Sequence, residues 1–132
     1  MTKPSSNPFC WHELATPDLN STKKFYNKLL GWQFTELNIN HTTYIIIILN
    51  NKEFGGMWQI PPDKKQEIKS QWISYLSVNN LEDTLQQAIK LGATIQTPLT
   101  PVGNYGQFAV IADPTGVPVA FWESFKTNCT SK

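Results

Sequence analysis

Arginine is absent from this sequence, in which all 11 basic residues are lysines. The planar guanidinium group is the usual reader of guanine edges and the usual two-pronged ligand of carboxylates and phosphates. Its absence, together with a net charge of only +1, argues against a nucleic-acid surface and against a strong anion pocket. We therefore predict no nucleic-acid partner.

Cysteines and long apolar runs are also scarce. The two cysteines, Cys10 and Cys129, lie near opposite ends of the chain and form no disulfide framework, so we expect free thiols. The longest aliphatic run, Ile45 to Leu49, is too short to cross a bilayer, and the segment MTKPSSNPF lacks the apolar core of a signal peptide. These features predict a cytoplasmic protein without a membrane partner.

What is present is the composition of a folded domain. The chain has 132 residues, of which 40% are hydrophobic and 16% charged. A chain of this size and composition can bury a substantial core. We expect a single globular domain.

One structural plan is used twice along the chain. The segments ELATPDLNSTKKFYNKLLGWQF, from Glu13, and YLSVNNLEDTLQQAIKLGATIQ, from Tyr75, each begin with a short strand and continue through a capping Asp or Asn into a helix. The helices are expected to stop at Gly31 and Gly92. The chain therefore consists of two related halves.

Each predicted helix carries an apolar stripe at helical spacing. The stripe is formed by Phe25, Tyr26, Leu29 and Leu30 in the first helix and by Leu81, Leu85, Ala88 and Ile89 in the second. We interpret both stripes as core.

Three further strands follow each helix, so that each half reads βαβββ. In the second half, the last two strands are joined by DPTG at Asp113 to Gly116, whose residues suit a type I turn. The predicted fold class is α+β in a single domain. Its parts are module one at about 9–60, a polar linker at 61–71, module two at about 72–125 and a polar tail at 126–132.

Aromatic residues fall on the predicted strands. A sheet with a helix on one face leaves its other face uncovered, and two such modules bury most by forming one curved mixed sheet around a cleft. Among the aromatic residues on predicted strands are Trp11, Trp58, Trp72, Tyr75 and Trp122. We predict that Trp11, Trp58, Tyr75 and Trp122 contact a ligand there, although an aromatic residue on a strand is more often core.

Two motifs resemble those of the vicinal oxygen chelate superfamily, which includes glyoxalase I, extradiol dioxygenases and bleomycin-resistance proteins. They are PDLNSTKKFYNKLLGW, residues 17–32, and DPTGVPVAFWE, residues 113–123. The resemblance extends over about residues 9 to 125. It implies the glyoxalase/bleomycin resistance fold and a homodimer.

The resemblance also implies four metal-ligand positions, on the first and last strands of both modules, for a divalent metal that polarises vicinal oxygens of a substrate. Here these positions fall on Trp11, Ile73, Ala120, and Gly55 or Gly56. None of these side chains binds a metal. A register error of one residue makes His12 a candidate ligand but supplies no second one. We predict no cofactor, and the resemblance alone is the reason to consider a divalent metal. The other histidine, His41, is expected to lie in a turn with its side chain solvated.

Glu13 shares a strand face with Trp11, and Tyr75 takes the matching place in module two. A carboxylate among aromatic rings is a candidate general base or a site for a cationic ligand. The alternative is a structural glutamate bonded to backbone groups.

These observations favour a small-molecule binding protein of the glyoxalase/bleomycin-resistance type, without the metal site, that takes a small apolar or aromatic ligand. The alternative is a glyoxalase-like lyase or isomerase, or an oxygenase, with a degenerate metal site. A regulatory or protein-interaction module is the third class.

Overall fold

The computed structural model describes residues 9–39 and 41–125; the predicted polar tail lies outside them. The strands of this part are β1 Phe9–Thr16, β2 Gln33–Ile39, β3 Thr42–Leu49, β4 Lys52–Gln59, β5 Gln71–Ser77, β6 Thr94–Val102, β7 Gly106–Ala112 and β8 Pro118–Ser124. The helices are α1 Leu19–Leu30 and α2 Leu81–Lys90. Neither of these helices is long and apolar enough to cross a membrane.

The chain divides into two compact units. Within the described residues, the first unit spans His12–Trp72, and the second combines residues 73–125 with residues 9–11. In the first unit the strand order is β2-β3-β4-β1, and in the second it is β5-β8-β7-β6. In each, the first strand pairs parallel with the last, and the other pairs are antiparallel. The predicted α+β class, built from two βαβββ modules, is confirmed.

Helix α1 begins and ends where the local sequence demands. The side chain of Asp18 accepts a hydrogen bond of 3.1 Å from the backbone N–H of Ser21, which satisfies one of the first amides of the helix. At the other end, Gly31 adopts a left-handed conformation with φ of 78° and donates its N–H to the carbonyl of Asn27.

Helix α2 repeats this arrangement. The side chain of Asn80 accepts a 2.9 Å bond from the N–H of Asp83. The helix ends at Lys90, and Gly92 follows with a φ of 105°. Both predicted glycine stops are therefore confirmed to within two residues of the helix end.

The two apolar stripes differ in burial. In α2, Leu81 and Leu85 are buried, and Ala88 packs against them, although Ile89 is exposed. The interpretation of the α1 stripe as core is wrong for three of its four members: Phe25 is 56% exposed, Leu29 61% and Leu30 49%. The spacing shows that a stripe exists, but only the neighbouring elements decide how much of it is covered.

Each unit packs its helix side around branched aliphatic residues. In the first unit the buried residues are Ile45, Ile47 and Met57, against which Leu14 and Leu19 pack. In the second unit Leu81, Leu85 and Ala93 pack with Ala109 and Ile111 of β7. Alternation along the strands sends the intervening side chains to the other face of each sheet.

The DPTG segment forms the predicted turn between β7 and β8. The N–H of Gly116 donates to the carbonyl of Asp113 at 2.7 Å. The Oδ1 of Asp113 accepts from the Thr115 hydroxyl at 2.7 Å and from the N–H groups of Thr115 and Val117. These bonds, that of the Thr115 hydroxyl first, hold the pKa of the Asp113 carboxyl below its ordinary value.

Cys10 is disulfide-bonded, so the expectation of a free thiol at this position is wrong. Distance along the chain, on which that expectation was based, does not limit which sulfur atoms meet in a fold. Cys129 lies outside the described residues. The free-thiol argument for a cytoplasmic location therefore does not hold for Cys10.

Candidate functional site

In the first unit, the parallel pairing of β1 with β4 brings a carboxylate and two aromatic rings to one sheet face. Glu13 lies opposite Gly56, and Ala15 lies opposite Trp58. Trp58 in turn lies opposite Tyr44 of β3. Residues opposite each other, and residues two apart on a strand, share a face. Glu13, Tyr44 and Trp58 therefore belong to the face that does not pack on α1.

A glycine determines where the Tyr44 ring lies. A Cβ placed on Gly56 would overlap the Oη, Cζ and Cε2 atoms of Tyr44. The phenol of Tyr44 therefore fills the space that a side chain at position 56 would need. Glycine inside a strand often marks such a close approach.

In the second unit, the corresponding face carries a cluster of four aromatic residues together with Cys10, Ile73, Val110 and Ala120. Tyr75 lies opposite Ala120 in the parallel pairing of β5 with β8, and both are buried. Trp11, Ile73, Phe108 and Trp122 pack against them. The rings of Tyr75 and Phe108 lie 6.2 Å apart at an interplanar angle of 51°.

A second glycine supports this aromatic face. A Cβ on Gly106 would overlap the carbonyl oxygen of Glu123 and would lie only 2.6 Å from Cζ2 of Trp122, closer than atoms pack. The indole of Trp122 therefore leans over Gly106 of the neighbouring strand. In each unit, an aromatic ring from an adjacent strand therefore packs over a strand glycine: Tyr44 over Gly56 and Trp122 over Gly106.

The predicted ligand-contact residues thus fall into two groups. Trp11, Tyr75 and Trp122 belong to one cluster of the second unit, and Glu13 and Trp58 share a face of the first. Glu13 lies opposite Gly56 of β4 in the first unit, and Tyr75 lies opposite Ala120 of β8 in the second.

The sequence analysis missed two members of these faces, Tyr44 and Phe108. A signal for Tyr44 exists in the segment EFGGMW, where glycines interrupt a strand and so suggest a ring from a neighbouring strand. Phe108 could have been found from the alternation of GQFAVIA, which sends it to the same face as Val110.

The histidines lie away from these groups of rings. His12 is exposed and, by alternation, points to the opposite face of β1 from Glu13. His41 is exposed in the turn between β2 and β3, with a φ of 64°, as predicted.

The residues at the four metal positions implied by the resemblance do not fit a metal ion. Trp11 and Ile73 carry no metal-binding atom, and Ala120 is fully buried. The register places Gly56, rather than Gly55, at the fourth position, and its side-chain space is filled by Tyr44. Across residues 9–39 and 41–125, no three His, Cys, Asp or Glu side chains group closely enough to hold a metal.

Two surface cavities lie elsewhere. The larger, of about 490 Å³, lies beside α1, where Phe25, Tyr26 and Trp72 contribute aromatic walls. The smaller, of about 280 Å³, lies at the start of α2 and is lined by Asn80, Asp83 and Phe121 among others. Both cavities are alternative places for a ligand, against which binding to the aromatic faces can be tested.

Comparison with known proteins gives consistent matches. The model of the Glyoxalase/Bleomycin resistance protein/Dioxygenase superfamily matches residues 9–121. The chain is 26% identical over 116 residues to "Putative glyoxylase CFP32" of Mycobacterium bovis, covering 86% of this chain and 44% of that protein. It is 26% identical over 136 residues to "Anthracycline biosynthesis protein DauV" of Streptomyces sp. (strain C5), covering 92% and 49%. The chain thus spans about half the length of these curated relatives.

The fold is shared with a solved structure of methylmalonyl-CoA epimerase from Mycobacterium tuberculosis. The TM-score is 0.61, the sequence identity is 13%, and the match covers 94% of this chain and 93% of the other. At this identity the likeness concerns the fold alone.

Proposed function

Because the chain belongs to the Glyoxalase/Bleomycin resistance protein/Dioxygenase superfamily, we propose that it is a small-molecule binding protein which works without the metal site of that superfamily. Its ligand is small and largely apolar or aromatic. The observation that carries the proposal is the aromatic face of the second unit, where Trp11, Phe108 and Trp122 pack around Tyr75.

The chemistry of this face supports binding rather than catalysis. Stacking on indole and phenol rings is favourable for flat apolar molecules and requires no charged group. The residues at the four metal positions offer indole, alkyl, methyl and hydrogen, none of which can ligate a Lewis-acidic metal ion. Sequestration of a ligand requires only the rings.

A titration with 1-naphthol tests this proposal. The indole N–H signals of Trp11 and Trp122 in two-dimensional NMR spectra are expected to shift, and the variant Trp122→Leu is expected to bind the probe at least about fivefold more weakly. The matched control is Trp72→Leu, which changes a tryptophan in the wall of the cavity beside α1. Binding weakened by Trp72→Leu, but not by Trp122→Leu, contradicts the proposal.

A glyoxalase-like lyase or isomerase, or an oxygenase, is the second candidate. It is supported by the name of the relative CFP32. Metal analysis of the protein purified without chelators separates the two. Stoichiometric Zn, Ni, Mn or Fe would favour the enzyme, whereas a metal-free protein that binds the naphthol probe supports the first proposal.

The proposal includes a homodimer. One observation supports it: the α1 stripe of Phe25, Leu29 and Leu30 is about half exposed. An apolar patch of this kind is typical of a contact surface. A second copy of this chain can cover it.

A further inference from the structure

The niche at Gly56 brings a phenol close to a carboxylate. Gly56 lies opposite Glu13 on one side and opposite Ile46 on the other. The Tyr44 hydroxyl fills the place where a Cβ on Gly56 would stand. It therefore lies on the same face as the Glu13 side chain, directly across from it.

The spacing of strands sets how far apart these two groups are. Neighbouring strands lie about 4.8 Å apart, and paired Cβ atoms are separated by about 5 Å. An oxygen atom at the Cβ position of Gly56 is thus about 5 Å from the Cβ of Glu13. The glutamate side chain spans most of that distance, so its carboxylate can accept a hydrogen bond from the Tyr44 hydroxyl.

An indole completes the group. Trp58 lies opposite Ala15 of β1 and opposite Tyr44 of β3. It follows Gly56 by two residues, so both belong to the same face of the sheet, and its side chain is partly buried. A negative carboxylate that shares a sheet face with an indole attracts a cation more strongly than either group alone. A neutral apolar ligand needs no such carboxylate.

We infer that Glu13, Tyr44 and Trp58 form a recognition site for an organic ammonium group. Glu13 supplies the opposite charge, Trp58 supplies the ring face, and the Tyr44 hydroxyl positions the carboxylate. Tyr44 thereby takes the space of the fourth ligand position of the superfamily and replaces metal coordination with recognition of a soft cation. The inference rests on the proposed binding function, since it names a chemical class of ligand for the first unit.

The experiment compares choline with 3,3-dimethyl-1-butanol, its neutral carbon isostere, by following the Trp58 indole signal in NMR titrations. Choline is expected to bind about tenfold more tightly, which is within the range of a cation–π contact reinforced by a carboxylate. Glu13→Gln is expected to remove this preference, and Tyr44→Phe to reduce it severalfold. The controls Glu36→Gln and Tyr105→Phe make the same chemical changes at exposed positions and are expected to keep it.

Gly56→Ala gives an independent test. An added methyl group must displace the end of the Tyr44 side chain, so the preference for choline is expected to fall although Glu13 is retained. Equal affinity for the two probes, no binding of either, or a preference that survives Glu13→Gln would overturn the inference. If 1-naphthol still binds, and Glu13→Gln leaves that binding unchanged, the proposed function remains supported. Failure of the ammonium inference can therefore be distinguished from failure of the proposed function.

Discussion

The backbone N–H of Leu81 donates a 2.8 Å hydrogen bond to Oε1 of Glu123, which lies 42 residues further along the chain. The same oxygen accepts a 3.0 Å bond from the side-chain amide of Gln107. In the first unit, the N–H of Leu19 donates to Oε1 of Gln59 at 3.0 Å. In both units, the last strand therefore supplies an acceptor for the first amide of the helix.

We expect Glu123→Ala to lower the free energy of unfolding by about 2 kcal/mol, because it leaves a helix amide and the Gln107 amide without their acceptor. Gln59→Ala is expected to lower it by about 1 kcal/mol, since its bond joins two neutral groups near the surface. Urea denaturation measures both. The conservative change Glu123→Gln retains an acceptor oxygen and should fall between wild type and Glu123→Ala. Alanine variants as stable as wild type would show that these bonds contribute nothing.

Glu13 and Tyr44 are expected to be coupled in stability. In a double-mutant cycle of Glu13→Gln and Tyr44→Phe, the two effects on the free energy of unfolding should deviate from additivity by about 1 kcal/mol, the net value of one hydrogen bond. The cycle of Glu36→Gln with Tyr105→Phe should be additive. An additive result for Glu13 and Tyr44 would mean that the phenol does not bond the carboxylate.

The turn at Asp113 predicts a pH-dependent contribution to stability. The pKa of its carboxyl is lowered by the hydrogen bonds from Thr115 and Val117, so the folded state binds this proton more weakly than the unfolded chain. The stabilisation is therefore fully present above the ordinary carboxyl pKa and is lost as the pH falls through the lowered value. We expect Asp113→Asn to be less stable than wild type at neutral pH and to approach it in acid. Thermal unfolding measured from pH 7 down to pH 2 checks this, and a difference that does not change with pH would contradict it.

The exposed stripe of α1 predicts the behaviour of the protein in solution. Leu29→Glu places a charge within the proposed contact and is expected to weaken a homodimer by at least about tenfold, roughly 1.4 kcal/mol. Light scattering coupled to gel filtration gives the mass at each concentration. The control is Leu91→Glu, because Leu91 is 76% exposed just after α2. A monomeric wild type at high concentration would remove the dimer proposal.

The local signals in the sequence predicted most of the fold. Asp18 and Asn80 cap the helices, Gly31 and Gly92 mark where they end, and DPTG turns the last hairpin because these residues fix dihedral angles within a few positions of themselves. Strand β6 runs over Thr94–Val102 although it contains Pro98 and Pro101. It lies at the edge of the sheet, where prolines are tolerated.

The sequence by itself therefore determined the periodicities, the caps, the turns and the repeat of the βαβββ plan, since each depends on residues close together in the chain. Only the tertiary structure decided that α2 buries Leu81 and Leu85 of its stripe while α1 leaves most of its own exposed, that Cys10 is disulfide-bonded, and that Tyr44 fills the niche at Gly56. These outcomes depend on which side chains from distant positions meet, because packing is a property of the assembled elements and not of any one segment.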